Sequence, residues 1–207
     1  MKILGIDEAG RGCVLGSLFV GACCCLETQL EAVVETGATD SKKLSAKKRQ
    51  AILEKLKALA QTKYISVSPQ EIDNGNINTL EEEAFAKHII HFKPDRVYID
   101  APVHPRGILS FVKRLKAKLE KSGVPIPELI VEPKADLTYP IVGAASIVAK
   151  VHRDESIKKL GEVGSGYPSD PKTRSWIKGF LQRKEPLPPS VRTRWGTIEK
   201  LKAEVQK

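Results

Sequence analysis

Short apolar runs that end on acids mark the framework of the chain. Ile3, Leu4 and Ile6 suit a strand buried in a sheet, and Asp7 and Glu8 stand where it gives way to the turn Gly10-Arg11-Gly12. Residues 14–26 read as a second, long strand, near enough in sequence to pair antiparallel with the first, and rich in small residues that imply close packing. A polar loop, Thr39-Asp40-Ser41-Lys42-Lys43-Leu44, precedes Ser45, which is expected to cap a helix presenting Ile52, Leu53, Leu56, Leu59 and Ala60 on one face. Residues 64–67 make a third strand. Thr79 with Glu82 is expected to form a capping box for a helix to about His91 that turns Leu80, Ala84, Phe85 and Ile89 inward.

The second half repeats the opening. Pro94-Asp95 breaks the chain before Arg96-Val97-Tyr98-Ile99-Asp100, a short strand that again ends on an acid. A basic amphipathic helix over about 108–121 leads through Pro125 and Pro127 to the apolar run 129–132 and a loop holding Lys134 and Asp136. Pro140 opens a helix whose small and β-branched residues, 142–151, suit burial on nearly every side until Arg153-Asp154-Glu155. A loop over 161–171, rich in Gly and Pro around Tyr167, precedes a helix with Trp176, Ile177 and Phe180. The stiff connector 185–190 and the basic segment 191–207, helical from Thr197, suggest a main domain over 1–184 and a helical segment over 185–207 packed on or beside it. Together these elements predict an α/β fold with a mixed sheet, strands one to three antiparallel.

Charge narrows the partner. The 207 residues carry 34 Lys and Arg against 25 Asp and Glu, a net charge of +9, which points to a polyanion, with nucleic acid the first candidate. Surplus lysine serving solubility alone is the competing reading. No signal-peptide pattern opens the chain and no apolar run approaches membrane-spanning length, so a soluble, cytoplasmic protein with no membrane partner is expected. Cys13 and Cys23-Cys24-Cys25 lack the spacing with which two thiolates grip a zinc ion, and read as buried apolar side chains. His88, His91, His104 and His152 form no zinc motif and are expected on the surface or on helix faces.

Asp7 with Glu8, Asp100 and Asp136 each stand at or just after the end of a buried strand. Clustered carboxylates repel one another unless cations lie between them, and hard oxygen donors select Mg²⁺ or Mn²⁺. Two such ions about 4 Å apart suit in-line displacement at phosphorus, with no Ser, Cys or His nucleophile needed. Alternation, however, sends Asp7 and Glu8 to opposite faces, so both can ligate only if the strand bends there.

In order and spacing, Asp7-Glu8-Ala9-Gly10-Arg11-Gly12, Asp40-Ser41-Lys42-Lys43-Leu44, Lys134-Ala135-Asp136, Tyr139-Pro140, the segment 144–151 and Arg153-Asp154 resemble ribonuclease HII. The segment 164–173 and Val191-Arg192 with Trp195 are similar to its archaeal branch. The resemblance implies an RNase H-like fold with a five-stranded sheet, and metal ions, two during catalysis, held by Asp7, Glu8, Asp100 and Asp136. It further implies that Gly10, Arg11 and Gly12 read the ribose, that Tyr167 stacks on the sugar following a ribonucleotide, and that Lys42 and Lys43 bind phosphate. Cys13 and Ser17 replace prolines found in many relatives, and Arg11 and the lack of a long N-terminal extension favour HII over HIII.

The expected activity is endonucleolytic. It covers cleavage of the RNA strand of RNA–DNA hybrids and nicking 5′ to ribonucleotides in duplex DNA, leaving 3′-OH and 5′-phosphate, by a monomer. The alternatives are another RNase H-like nuclease or strand-transfer enzyme and a non-catalytic hybrid-binding protein. The tail Ala203-Glu204-Val205-Gln206-Lys207 lacks the aromatic clamp-binding motif of some archaeal relatives, so no clamp binding through the tail is expected.

Overall fold

The structure, a computed structural model, describes residues 1–38 and 44–206. Its sheet has five strands: β1 (Lys2–Ala9), β2 (Leu18–Leu26), β3 (Gln61–Val67), β4 (Arg96–Asp100) and β5 (Glu128–Glu132). They lie in the order β3-β2-β1-β4-β5. β2 runs antiparallel to both β1 and β3, the antiparallel pairing the sequence predicts for the first three strands, whereas β4 runs parallel to β1 and β5 parallel to β4. The ends of β1, β4 and β5 therefore emerge along one edge.

Helices α1 (Leu30–Glu35), α2 (Ala46–Leu59), α3 (Pro69–Asn74), α4 (Ile77–Phe92), α5 (Ile108–Lys121), α6 (Ala135–Thr138), α7 (Pro140–Lys158), α8 (Pro171–Gln182) and α9 (Gly196–Val205) surround the sheet. Strand alternation divides the core. Ile3, Cys23 and Cys25 pack with α1, α2 and α7, while Leu4, Ile6 and Cys24 pack with α4 and α5. The cysteine run thus fills both layers as small apolar side chains, and burial pushes the Cys24 and Cys25 thiols up to about 11.

The buried helix is α7, which lies unusually near the sheet. A Cβ at Gly5 would sit 2.1 Å from the Ile141 carbonyl oxygen, and one at Gly21 would sit 2.4 Å from that of Ala145. Glycine in the strands and small residues in the helix permit this approach. It brings the polar side of α7 up to the end of β1.

Several local expectations give way to longer-range contacts. The second strand begins at Leu18, because Gly16 takes φ +87 and Leu15 bridges instead to Val191. The third begins earlier, at Gln61. Asn76, not Thr79, caps α4: its side-chain oxygen accepts from the N–H groups of Asn78 and Thr79. Leu80 is only partly buried, beside a small cluster of Leu18, Val67 and Ile72, and Leu59 is exposed. Of the two placements expected for the histidines, His88 takes the helix face and not the surface: it is fully buried on α4, its Nε2 3.1 Å from the Val20 carbonyl oxygen. Burial pulls that ring's pKa down to about 4. Asp136 lies in the first turn of α6 rather than in a loop.

Candidate active site at the carboxyl edge of the sheet

Parallel pairing of β1, β4 and β5 brings three acids from distant parts of the sequence to one edge. Asp7 is near the end of β1, Asp100 is the last residue of β4, and Asp136 follows β5 in α6. Lys134, with φ 58, turns the chain between β5 and α6. Asp100 Oδ1 then accepts from the Ala135 N–H at 3.1 Å, while the Ala101 N–H donates to the Glu132 carbonyl at 2.9 Å. One carboxylate oxygen from each of Asp7, Asp100 and Asp136 lies within 4.8 Å of the other two.

Glu8 is outside that set of oxygens. β1 stays in register through the acids: Asp7, Glu8 and Ala9 pair with Gly21, Val20 and Phe19. Alternation therefore turns Glu8 to the α4 side, where it feels the charge of Glu81 as well as those of Asp7 and Asp100. Glu8 still lines the same cleft, and its Oε2 is buried with no hydrogen-bond partner.

The electrostatics suit a cation. Burial, reinforced by the charge of Asp100, pushes the Asp7 carboxyl up to about 7, although the Ser146 hydroxyl, the Glu8 N–H and Lys150 all oppose the rise. Glu8 is raised well above the carboxylate range, first by burial and then by Asp7. Glu81, buried beneath the site, is pushed to about 7 by burial even though Arg11 pairs with it.

The cleft has a volume of about 430 Å³, and its lining includes Asp7, Glu8, Gly10, Arg11, Gly12, Asp100, Asp136 and Tyr167. Tyr167 is 41% exposed. A Cβ on Gly12 would lie 3.9 Å from its ring, and the Arg153 guanidinium carbon lies 4.9 Å from the ring centre. The tyrosine loop is fixed to the segment after the glycine turn, since the N–H groups of Val14 and Leu15 donate to Gly166 at 2.9 and 3.2 Å. Lys42 and Lys43 lie outside the described residues.

Arg49, Lys150, Arg153 and Asp154 also line the cleft, though sequence reasoning gave them no role. Arg49 on α2 pairs with Asp154 at 2.8 Å. Ser146, Lys150 and Arg153 recur at helical spacing along α7, a polar stripe that starts within the apolar stretch 141–151; that was the signal. Glu81, paired with Arg11, and Arg192, described below, were missed as well.

Comparison with known proteins gives a consistent likeness. The family model for ribonuclease HII matches residues 4–198. The ribonuclease HII of Thermococcus sibiricus is 42% identical over 216 residues, covering 100% of this chain and 94% of that protein. The crystal structure of ribonuclease H2 from Pyrococcus horikoshii OT3 superposes with a TM-score of 0.89 at 39% identity, covering 100% of both chains. The RNase HII in the PCNA:RNase HII complex of Archaeoglobus fulgidus gives 0.84 at 36% identity, covering 96% of each chain.

Proposed function

The chain belongs to the ribonuclease HII family, endonucleases of the RNA strand of RNA–DNA hybrids, and on that premise we propose how its own residues carry out the reaction. Asp7, Asp100 and Asp136, with Glu8 beside them, hold two divalent cations, Mg²⁺ or Mn²⁺. The donors fit such ions: all are hard oxygens, three lie within 4.8 Å of one another, and the Glu8 Oε2 is buried without a partner. When bound, the ions supply an activated water and stabilise the leaving 3′ oxygen.

The remaining residues position the nucleic acid. Backbone N–H groups of the Gly10-Arg11-Gly12 turn face the ribose and distinguish its 2′-hydroxyl, and the Tyr167 ring stacks on the following sugar, so that the enzyme nicks 5′ to a single ribonucleotide in duplex DNA. Arg49, Lys150 and Arg153 contribute positive charge for the phosphates flanking the scissile bond, and Lys42 and Lys43 are further candidates for this task. The products carry 3′-OH and 5′-phosphate ends. The chain acts as a monomer on its nucleic acid, and the PCNA complex of the Archaeoglobus relative makes a sliding clamp a candidate protein partner. No helix among the described residues is long and apolar enough to cross a membrane. Because its substrate is nucleic acid, we place the enzyme in the cytoplasm.

The observation that carries this reading is the convergence of three strand-end carboxylates in one cleft with the glycine turn and Tyr167. Its test is incubation of matched duplexes, one all-DNA and one with a single ribonucleotide, in Mg²⁺ or Mn²⁺. Cutting of the ribonucleotide duplex alone is expected. Equal cutting of both, or of neither, would overturn it.

A further inference from the structure

Among the described residues Arg192 is the largest fully buried side chain, and its guanidinium bonds main-chain carbonyls and no carboxylate there. Its Nε donates to the Gly16 carbonyl at 3.0 Å, one terminal nitrogen to Arg11 at 2.8 Å and the other to Gly10 at 2.7 Å. The Trp195 ring covers it, 5.0 Å from the guanidinium carbon. Its own N–H donates to Val14 at 2.9 Å and the Gly16 N–H to Ser190 at 2.8 Å, so the C-terminal segment is joined to residues 14–16 through the main chain as well. A buried cation that bonds no carboxylate directly is costly, even with the charge of Asp73 near enough to favour it, and an apolar side chain would fill the volume at less expense. The three carbonyls are what the charge secures.

Two of those carbonyls belong to the glycine turn. No peptide bond among the described residues is cis, and in a trans peptide the N–H points opposite to its C=O. Drawing the Gly10 and Arg11 carbonyls onto Arg192 therefore turns the N–H groups of Arg11 and Gly12 away from it, and Gly10, Arg11 and Gly12 all line the cleft. Neither N–H donates to another group among the described residues. Gly10, at φ +85, takes the left-handed backbone the turn requires.

We infer that Arg192 is a positioning residue that aims the Arg11 and Gly12 N–H groups at the substrate ribose, making the C-terminal segment part of the apparatus that tells RNA from DNA. This rests on the proposed reading of the ribose by the glycine turn.

The test compares wild type with Arg192→Lys, which keeps the charge but cannot span three carbonyls. Binding of matched duplexes with and without one ribonucleotide is read by fluorescence anisotropy in EDTA, and single-turnover cleavage in Mn²⁺. The ribonucleotide preference and the cleavage rate should each fall roughly tenfold, as loss of charge-assisted bonds implies, while calorimetric Mn²⁺ binding stays unchanged. A role in packing alone would lower the melting temperature and leave the preference intact, and that result in a folded Arg192→Lys protein overturns the inference.

Asp73→Asn supplies a second route. Asp73 accepts from the Thr193 N–H and hydroxyl at 2.6 and 2.8 Å and so holds the residues beside Arg192 without touching the turn. A smaller fall in preference is expected, and if Arg192→Lys does not fold, an unchanged preference here overturns the inference. Gly12→Pro removes one of the two N–H groups. If it leaves the preference intact, the turn does not read the ribose and the proposed site reading fails; if it abolishes the preference while Arg192→Lys does not, only the role of Arg192 fails.

Discussion

Asp7→Asn should stabilise the metal-free protein while abolishing its function. Burial raises the Asp7 carboxyl from 3.8 to about 7. A rise of about 3 pH units corresponds to on the order of 4 kcal/mol of stability withheld at neutral pH when no cation is bound. For a carboxylate raised on folding, the native state binds the extra proton between the two values. The Asp7 contribution to stability is therefore greatest at and below about pH 4, declines as pH rises to about 7, and is flat beyond.

An asparagine removes the charge yet keeps an oxygen for the Glu8 N–H, which donates to Asp7 Oδ1 at 2.7 Å. The net gain should be about 2–4 kcal/mol near pH 8, a rise in melting temperature of roughly 4–15 °C in EDTA. The assay is thermal unfolding of both proteins in EDTA from about pH 5 to 8, repeated with Mn²⁺. Glu8 and Glu81 slope the stability curve the same way and His88 slopes it the other, so the difference between the two proteins is the readout. That difference should grow with pH, and Mn²⁺ should stabilise wild type far more than Asp7→Asn. An Asp7→Asn protein that melts at or below wild type in EDTA near pH 8 would refute the reasoning.

Asp136→Asn should lower single-turnover cleavage by more than the roughly 10–100-fold cost of disturbing a metal's outer shell, with loss of Mn²⁺ binding by calorimetry. Tyr167→Ala should slow cutting at a single ribonucleotide roughly tenfold, a typical penalty for a lost stacking platform, and slow cutting within a long hybrid less; equal losses would count against its role at the junction. Gly5→Ala sets a Cβ 2.1 Å from the Ile141 carbonyl oxygen, and urea unfolding should show a loss of about 3 kcal/mol or more as α7 is forced off the sheet.

The acids were legible because each stands at or just after the end of a short apolar run, a local signal that strand pairing then converts into proximity. Asp7 and Asp136, 129 positions apart in sequence, needed only parallel pairing through β4 to meet. Glu8 tested the limit of that reasoning: alternation sent it across the strand, and unbroken pairing through Ala9 kept it there. Residues 14–17 were misread for the opposite reason. Their apolar character matches a strand, but their partner, Val191, lies at the far end of the chain. The short helices α1, α3 and α6 are too brief for periodicity to reveal. Arg192 carries no local sign of its burial, because what satisfies it are main-chain carbonyls brought up by the fold.

The central claim concerns where the cut falls and what ends it leaves. A duplex carrying one ribonucleotide, labelled at either end, should be digested in Mn²⁺ by wild type and by Asp136→Asn, and its products mapped at nucleotide resolution and tested for polymerase extension. A single nick immediately 5′ to the ribonucleotide, with an extendable 3′-OH and a 5′-phosphate, made by wild type and not by the variant, is the result the site predicts. A cut on the 3′ side, a 2′,3′-cyclic phosphate end, or undiminished nicking by Asp136→Asn would contradict it.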